Sequence, residues 1–206
     1  MATTNNSMRG KVGNTIFYKV GEKTRARSTP LEILDANTAK QQVCRAQLRV
    51  ATRFYQRLAE TPLREVWRTA ARGTSGSSFN FFMKLNLKIF NPNGKVADFS
   101  RLRLAVGMLQ EVNRLSGSVA DEDVVTLTWE ENAGLAPARS NDRLIVVVLY
   151  GNRSFSPVFV EGVQATRGDG KAVFRLTRKR GTVAHVYCYF ETVNRGAYST
   201  SQYLRM

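Results

Sequence analysis

The sequence predicts an α+β fold: an N-terminal arm or hairpin and a helical region, followed by an all-β sandwich of immunoglobulin or fibronectin type III character. Three observations carry this expectation. Apolar residues recur at helical spacing in two stretches between positions 37 and 73. After residue 100, seven short segments of strand-like texture follow at near-regular spacing, with Asp169-Gly170 and Asn194-Arg195-Gly196 as turns. Charge divides unevenly, with 19 basic and 6 acidic residues before position 104 and 12 and 10 from there on, in a chain of net charge +15. The expected domains are an arm at 1–36, a basic helical region at 37–95 and a sandwich at 100–206.

Residues 1–9 read as a loose polar lead. Over 10–27, Ile16, Tyr18 and Val20 alternate with Phe17 and Lys19, Gly21-Glu22-Lys23 can turn, and Thr24-Arg25-Ala26-Arg27 returns, giving a short basic hairpin or an extended arm. Residues 30–37 connect. Asn37 or Thr38 can cap a first helix that ends before Pro62. At 100° per residue, its Val43, Gln47, Val50, Ala51, Phe54, Tyr55 and Leu58 fall on one side. Thr61 caps a second helix with Pro62 at its first position, where the missing amide costs nothing. Leu63, Val66, Trp67 and Ala70 form its apolar stripe, and Gly73 ends it. Residues 79–90 fit both periods; helix is preferred, because Ser77 or Ser78 can cap it and Asn91-Pro92-Asn93-Gly94 stops it. The strand candidates are 102–109, 124–129, 143–150, 157–161, 172–176, 183–192 and 197–204, with Trp129 as an early core anchor.

The candidate site is a row of arginines. Arg45, Arg49, Arg53 and Arg57 recur every four residues on the first helix, and Arg64, Arg68 and Arg72 on the second. Residues four apart are neighbours on a helix surface, separated by about 6 Å of rise. Like charges so placed repel by a few tenths of a kcal/mol per pair. Only Glu60 and Glu65 offer local neutralisation, so the row calls for an anionic partner more than a solvated face does. Arginine suits phosphate or carboxylate, because its planar fork makes two parallel hydrogen bonds. Arg25 and Arg27 of the arm join the same candidate set. Contact with DNA or RNA would fall on phosphates, since no helix-turn-helix, zinc-finger or RNA-binding signature is present.

Other chemistry is sparse. No apolar run approaches the roughly 20 residues of a membrane-spanning helix, and the first 14 residues lack a secretory leader's apolar stretch. Cys44 and Cys188 make no disulfide framework and have no metal-ligand spacing, which points to a reducing cytoplasm. His185, the single histidine, lies in an apolar strand and reads as a core or sheet-face residue. Gly10-Lys11-Val12-Gly13 lacks the ending of a phosphate loop. Asp121-Glu122-Asp123 and Glu130-Glu131 could hold a divalent cation, though a solvated loop or a docking patch for a basic neighbour fits better. Arg167-Gly168-Asp169 reads as a hairpin turn. No enzyme, cofactor or metal is expected.

Several segments together resemble an uncharacterised family from Bacteroidota and the bacteriophages that infect them. They are Gly10-Lys11-Val12-Gly13-Asn14 with Tyr18 and Arg25 or Arg27, Thr38 with Gln41 or Gln42 and Arg45, Gly134-Leu135 with Asp142, Ala165-Thr166-Arg167, and the closing Val186-Tyr187, Phe190 and 199–204. The resemblance implies a helical N-terminal region, a sandwich-like C-terminal region and a phage or mobile-element setting, and names no activity. Arg49, Arg53, Arg57 and Arg72 lie outside the shared pattern, as does the ending Leu204-Arg205-Met206. The expected function is therefore a non-enzymatic structural protein of a phage particle, as a connector, ring or capsid-associated component. It would assemble with itself and other virion proteins, its basic helices facing DNA or an acidic viral protein. The alternative is a cytoplasmic, sequence-tolerant nucleic-acid-binding protein.

Overall fold

The structure, a computed structural model, describes residues 3, 4, 8–20, 22–30, 32, 35–74, 76–131, 136–179 and 181–206. Gly21, expected in the arm's turn, and Gly134-Leu135 of the resemblance lie outside these residues. The chain forms two compact units, Met1–Thr38 and Ala39–Met206.

The first unit is an antiparallel sheet of β1 (Thr3–Thr4), β2 (Gly10–Val12), β3 (Thr15–Val20) and β4 (Lys23–Ser28), in the order β1-β4-β3-β2. The expected hairpin is its centre, with Tyr18 opposite Arg25. Within the expected polar lead, Thr3 and Thr4 pair with Arg25 and Thr24; residues 1, 2 and 5–7 lie outside the described residues. Gly13 supplies the positive φ of +57° at the β2–β3 turn, a conformation L side chains rarely adopt. Among the described residues of this sheet only Thr24 is buried.

The second unit begins with α1 (Ala39–Ala59), α2 (Leu63–Ala70) and α3 (Ser78–Asn86), the last running into a 3-10 turn at Leu87–Ile89. The Thr61 hydroxyl accepts from the Leu63 amide at 3.3 Å beside the start of α2, and the Ser77 hydroxyl caps α3, accepting from the Asn80 amide at 3.2 Å. Seven strands follow: β5 (Asn113–Val119), β6 (Val124–Glu130), β7 (Arg143–Tyr150), β8 (Arg153–Phe159), β9 (Lys171–Arg175), β10 (Ala184–Glu191) and β11 (Gln202–Arg205). They pair as a four-stranded sheet, β11-β10-β7-β8, and a three-stranded sheet, β5-β6-β9, all antiparallel.

Strands β7 and β10 are apolar along nearly their whole length because both of their faces are covered. Leu144, Val146 and Val148 of β7, with Val186, Cys188 and Phe190 of β10, meet Val125, Leu127 and Trp129 of β6. The alternate residues Val147, Leu149, Tyr187 and Tyr189 meet the helices. The unit is thus layered: helices, four-stranded sheet, three-stranded sheet. Phe54 centres the helical layer, its ring 5.2 Å from Phe90, 5.4 Å from Phe155 and 6.1 Å from Phe82.

Four expectations need correction. Residues 102–109 form no strand. Their main chain is held by side chains instead of a ladder: Arg103 N donates to Asn86 Oδ1 at 2.9 Å, Leu104 N to Ser201 Oγ at 3.1 Å, and Trp67 Nε1 to Leu104 O at 2.9 Å. On one side β6 pairs with β9 and on the other with β5, a strand whose Ser116-Gly117-Ser118 has no apolar alternation to announce it. A Cβ on Gly117 would come within 2.4 Å of Met206 Cε, so glycine admits the close approach there. The strands expected at 157–161 and 197–204 are Arg153–Phe159 and Gln202–Arg205. Pro157 is accommodated because β8 is an edge strand, while Tyr198 and Ser199 make only single bridges, to Glu191 and Leu109. Finally, Val43 stays 50% exposed, and α1 buries its apolar side only from Val50 onward.

Candidate functional site

All seven arginines of the row are exposed. On α1, Arg45, Arg49, Arg53 and Arg57 lie away from Val50, Ala51, Phe54 and Leu58, which anchor the helix in the core. Each step of four residues turns about 40° further than a full turn, so the four span about 120° of the helix surface over roughly 18 Å. They form a winding stripe and not a straight ridge. On α2, Arg64 and Arg68 flank a buried stripe of Leu63, Val66 and Trp67, whereas Arg72, expected on the same helix, stands in the turn just past its end, because the helix closes at Ala70.

Glu60 and Glu65 hold three of the seven. Arg57 reaches Glu60 at 3.3 Å, and Glu65 takes Arg68 at 3.3 Å and Arg72 at 3.7 Å. Exposed pairs of this kind contribute roughly 0–1 kcal/mol and leave the arginines able to turn outward. Among the described residues, Arg49, Arg53 and Arg64 make no ion pair.

Arg25 and Arg27 lie in the other unit, on β4. The register places Arg27 across from Ile16, which in turn faces Lys11, and sets Arg25 opposite Tyr18 and Lys23 opposite Val20. Successive side chains of a strand alternate faces, so Lys11, Lys23, Arg25 and Arg27 share one face around Tyr18. The Arg27 guanidinium sits 5.7 Å from the Tyr18 ring centroid. Lys11 and Lys23 were not singled out from sequence; the signal was their parity within the hairpin.

The acidic clusters are engaged within the chain. Glu122 pairs with Arg175 at 3.1 Å, Asp123 with Arg178 at 2.7 Å and Glu130 with Arg114 at 2.7 Å, while Ser140 donates to Glu131. Among the described residues no group of three His, Cys, Asp or Glu could hold a metal ion. Arg178 also donates to the carbonyls of Thr182 at 3.0 Å and Met206 at 3.1 Å, tying down the C-terminus.

Arg167, expected in a hairpin turn, opens a short 3-10 turn and is a buried cation. Its side chain is 0% exposed and pairs with Asp142, 1% exposed, at 3.3 Å. Its guanidinium carbon lies 4.5 Å from the Phe190 ring centroid, and its carbonyl accepts from Trp129 Nε1 at 2.8 Å. Burial pushes its pKa down and the Asp142 carboxylate opposes the shift. Both partners occur among the residues that carry the family resemblance, which was the available signal. His185 is a packed sheet residue: its ring stacks on Phe99 at 3.6 Å and its Nδ1 lies 2.9 Å from the Tyr203 hydroxyl. Burial lowers its pKa, with Arg205 adding to the shift. Cys188 is buried and its thiol is pushed up to about 12, whereas Cys44 is exposed. Among the described residues no helix is long and apolar enough to cross a membrane.

Residues 7–205 match a family described as a family of unknown function, DUF6266. No curated protein matches the chain.

Proposed function

The chain belongs to that family of unknown function, and from this premise we propose that it is a non-enzymatic structural protein of a bacteriophage particle, assembled in several copies in the bacterial host. The observation that carries the reading is the N-terminal sheet. A short-stranded sheet with one buried residue among those described lacks the covered hydrophobic face that gives sheets independent stability. Its edges, β1 and β2, are suited to pairing with a neighbour's strand, and Ile16, Phe17 and Tyr18 are only half-buried, open to packing on it.

In this reading the strand-rich half mediates contacts between subunits and is of immunoglobulin or fibronectin type III type. The strand order, β5-β6-β9 against β8-β7-β10-β11, supports that assignment. The arginine stripe of α1 and α2 faces packaged DNA, through phosphates, or an acidic virion protein. The second reading, a small cytoplasmic nucleic-acid binder, draws on the same stripe.

Multi-angle light scattering with and without duplex DNA separates the two. A closed multimer without DNA supports the structural reading; a small species that changes mass only with DNA sinks it in favour of the second. Fluorescence anisotropy over a salt series then tests the stripe. Replacing Arg49, Arg53 and Arg57 together by Gln should leave the melting transition unchanged while lowering the slope of log affinity on log salt by roughly 0.9 per lost phosphate contact. An unchanged slope removes the stripe from the interface.

A further inference from the structure

Where β10 ends beside α2, the second unit has a cavity of about 350 Å³. Its walls are aromatic and aliphatic, with the rings of Phe159, Tyr189 and Tyr198 and the side chains of Val66 and Ile145. Two carboxylates open into it, Glu191 from the end of β10 and Glu65 from α2. Glu191 is the unusual one. Its side chain is 11% exposed, and among the described residues its carboxylate accepts no hydrogen bond; its one ion pair is a long 3.9 Å approach from Arg195 Nε. The Arg195 side chain is 72% exposed and stands on a turn residue with φ of +55°. A carboxylate this buried normally has close, hydrogen-bonded partners; Glu191 has two cations near it, Arg195 at long range and Arg143 across the strand pair, and a hydrogen bond from neither.

The surroundings identify what would complete it. A guanidinium or ammonium group satisfies a buried carboxylate by charge-assisted hydrogen bonds, while ring faces such as those of Tyr189 and Tyr198, 6.4 Å apart, favour a cation and its alkyl stem. We propose that this notch binds an alkylguanidinium or alkylammonium group, held by Glu191 against the tyrosine rings, with Arg195 as the internal cation it displaces. The group can come from a free small cation or from an arginine or lysine of a second copy of the chain. The inference does not rest on the anionic-partner reading; the two surfaces meet at Glu65, which lines the notch and pairs with Arg68 and Arg72 of the row.

The test is titration of the full chain with ethylguanidinium chloride, followed by the NMR signals of the notch tyrosines, with sodium chloride matched for ionic strength. Saturable binding with a dissociation constant on the order of 1 mM is expected. Glu191→Gln, close in shape, should weaken it about tenfold or more. Arg195→Asn, which keeps a residue tolerant of positive φ while removing the competitor, should strengthen it several-fold. Equal affinity in Glu191→Gln, or no saturation even in Arg195→Asn, overturns the proposal. Light scattering distinguishes the source. If a neighbour's side chain fills the notch, both ethylguanidinium and Glu191→Gln lower the oligomer mass; an unchanged mass alongside saturable binding assigns the notch to a free cation.

Discussion

Replacing Arg167 by Met should destabilise the protein by about 3–5 kcal/mol, the range for removing one member of a buried ion pair. The structure explains why the effect is that large. Methionine keeps most of the volume but leaves the Asp142 carboxylate, 1% exposed, without its cation. Among the described residues, Asp142 then keeps as its side-chain partner the Arg139 amide, which donates to Oδ2 at 2.9 Å. The stack on Phe190 is also lost. The backbone contacts, Arg167 N to Asp142 O at 2.8 Å and Trp129 Nε1 to Arg167 O at 2.8 Å, survive the change, so the loss reports the charge and not the loop. Urea unfolding followed by tryptophan fluorescence reads it, and a drop in Tm of roughly 6–20 °C should accompany it for a chain of this size. The companion variant Arg167→Met with Asp142→Leu removes both charges and should recover much of the stability, because the isolated buried charge is what costs most. A single-variant loss below about 1 kcal/mol, or a double variant at least as unstable as the single, would refute the assignment of Arg167–Asp142 as a buried pair.

Three further outcomes follow from the same geometry. Burial raises the Glu191 pKa above its ordinary 4.5, so its contribution to stability is present below that value and lost as pH rises through the folded pKa; Glu191→Gln should raise Tm at pH 7, a gain that disappears in acid in a calorimetric series. His185 has the opposite sign. Its pKa is lowered from 6.5, so its contribution holds above 6.5 and is lost as pH falls through the folded value, and His185→Gln should flatten the decline in stability below pH 6.5 measured by urea titration. Gly107→Ala should cost about 3 kcal/mol or lower the yield of folded protein, because its Cβ would meet Tyr198 O at 1.9 Å, the oxygen that accepts from Leu109 N; a circular dichroism melt within 1 °C of wild type contradicts the close approach.

Legibility from sequence followed the range of the interactions involved. Both amphipathic helices, the Thr61 hydroxyl at the start of α2, and the choice of helix over strand near Phe82 with its cap at Ser77 were readable because helical spacing and capping act over three or four residues. Strands β6, β7, β9 and β10 were readable because they are apolar enough to declare themselves. Strand β5 was not. Its residues gain strand geometry only from pairing with β6, and Gly117 is there to admit Met206 and Leu127. Residues 102–109 mislead for the converse reason: they are apolar and buried, yet Asn86 and Ser201 take the amides that a ladder would use. The arginine row was visible as a repeat of four, but its winding by about 40° per step is a property of the helix itself.

What the sequence by itself determined is the local architecture and the sign of the charge. The spacing of apolar residues sets the helices and the more apolar strands, and arginines recur at exposed helical positions. Only the tertiary structure decided which segments pair, that Arg167 is neutralised inside the protein by a residue 25 positions away, and that Glu191 opens into an aromatic notch. These depend on contacts between distant positions, whose closure no local period encodes. Identical residue types therefore end in opposite environments: Arg53 in solvent, Arg167 sealed against Phe190.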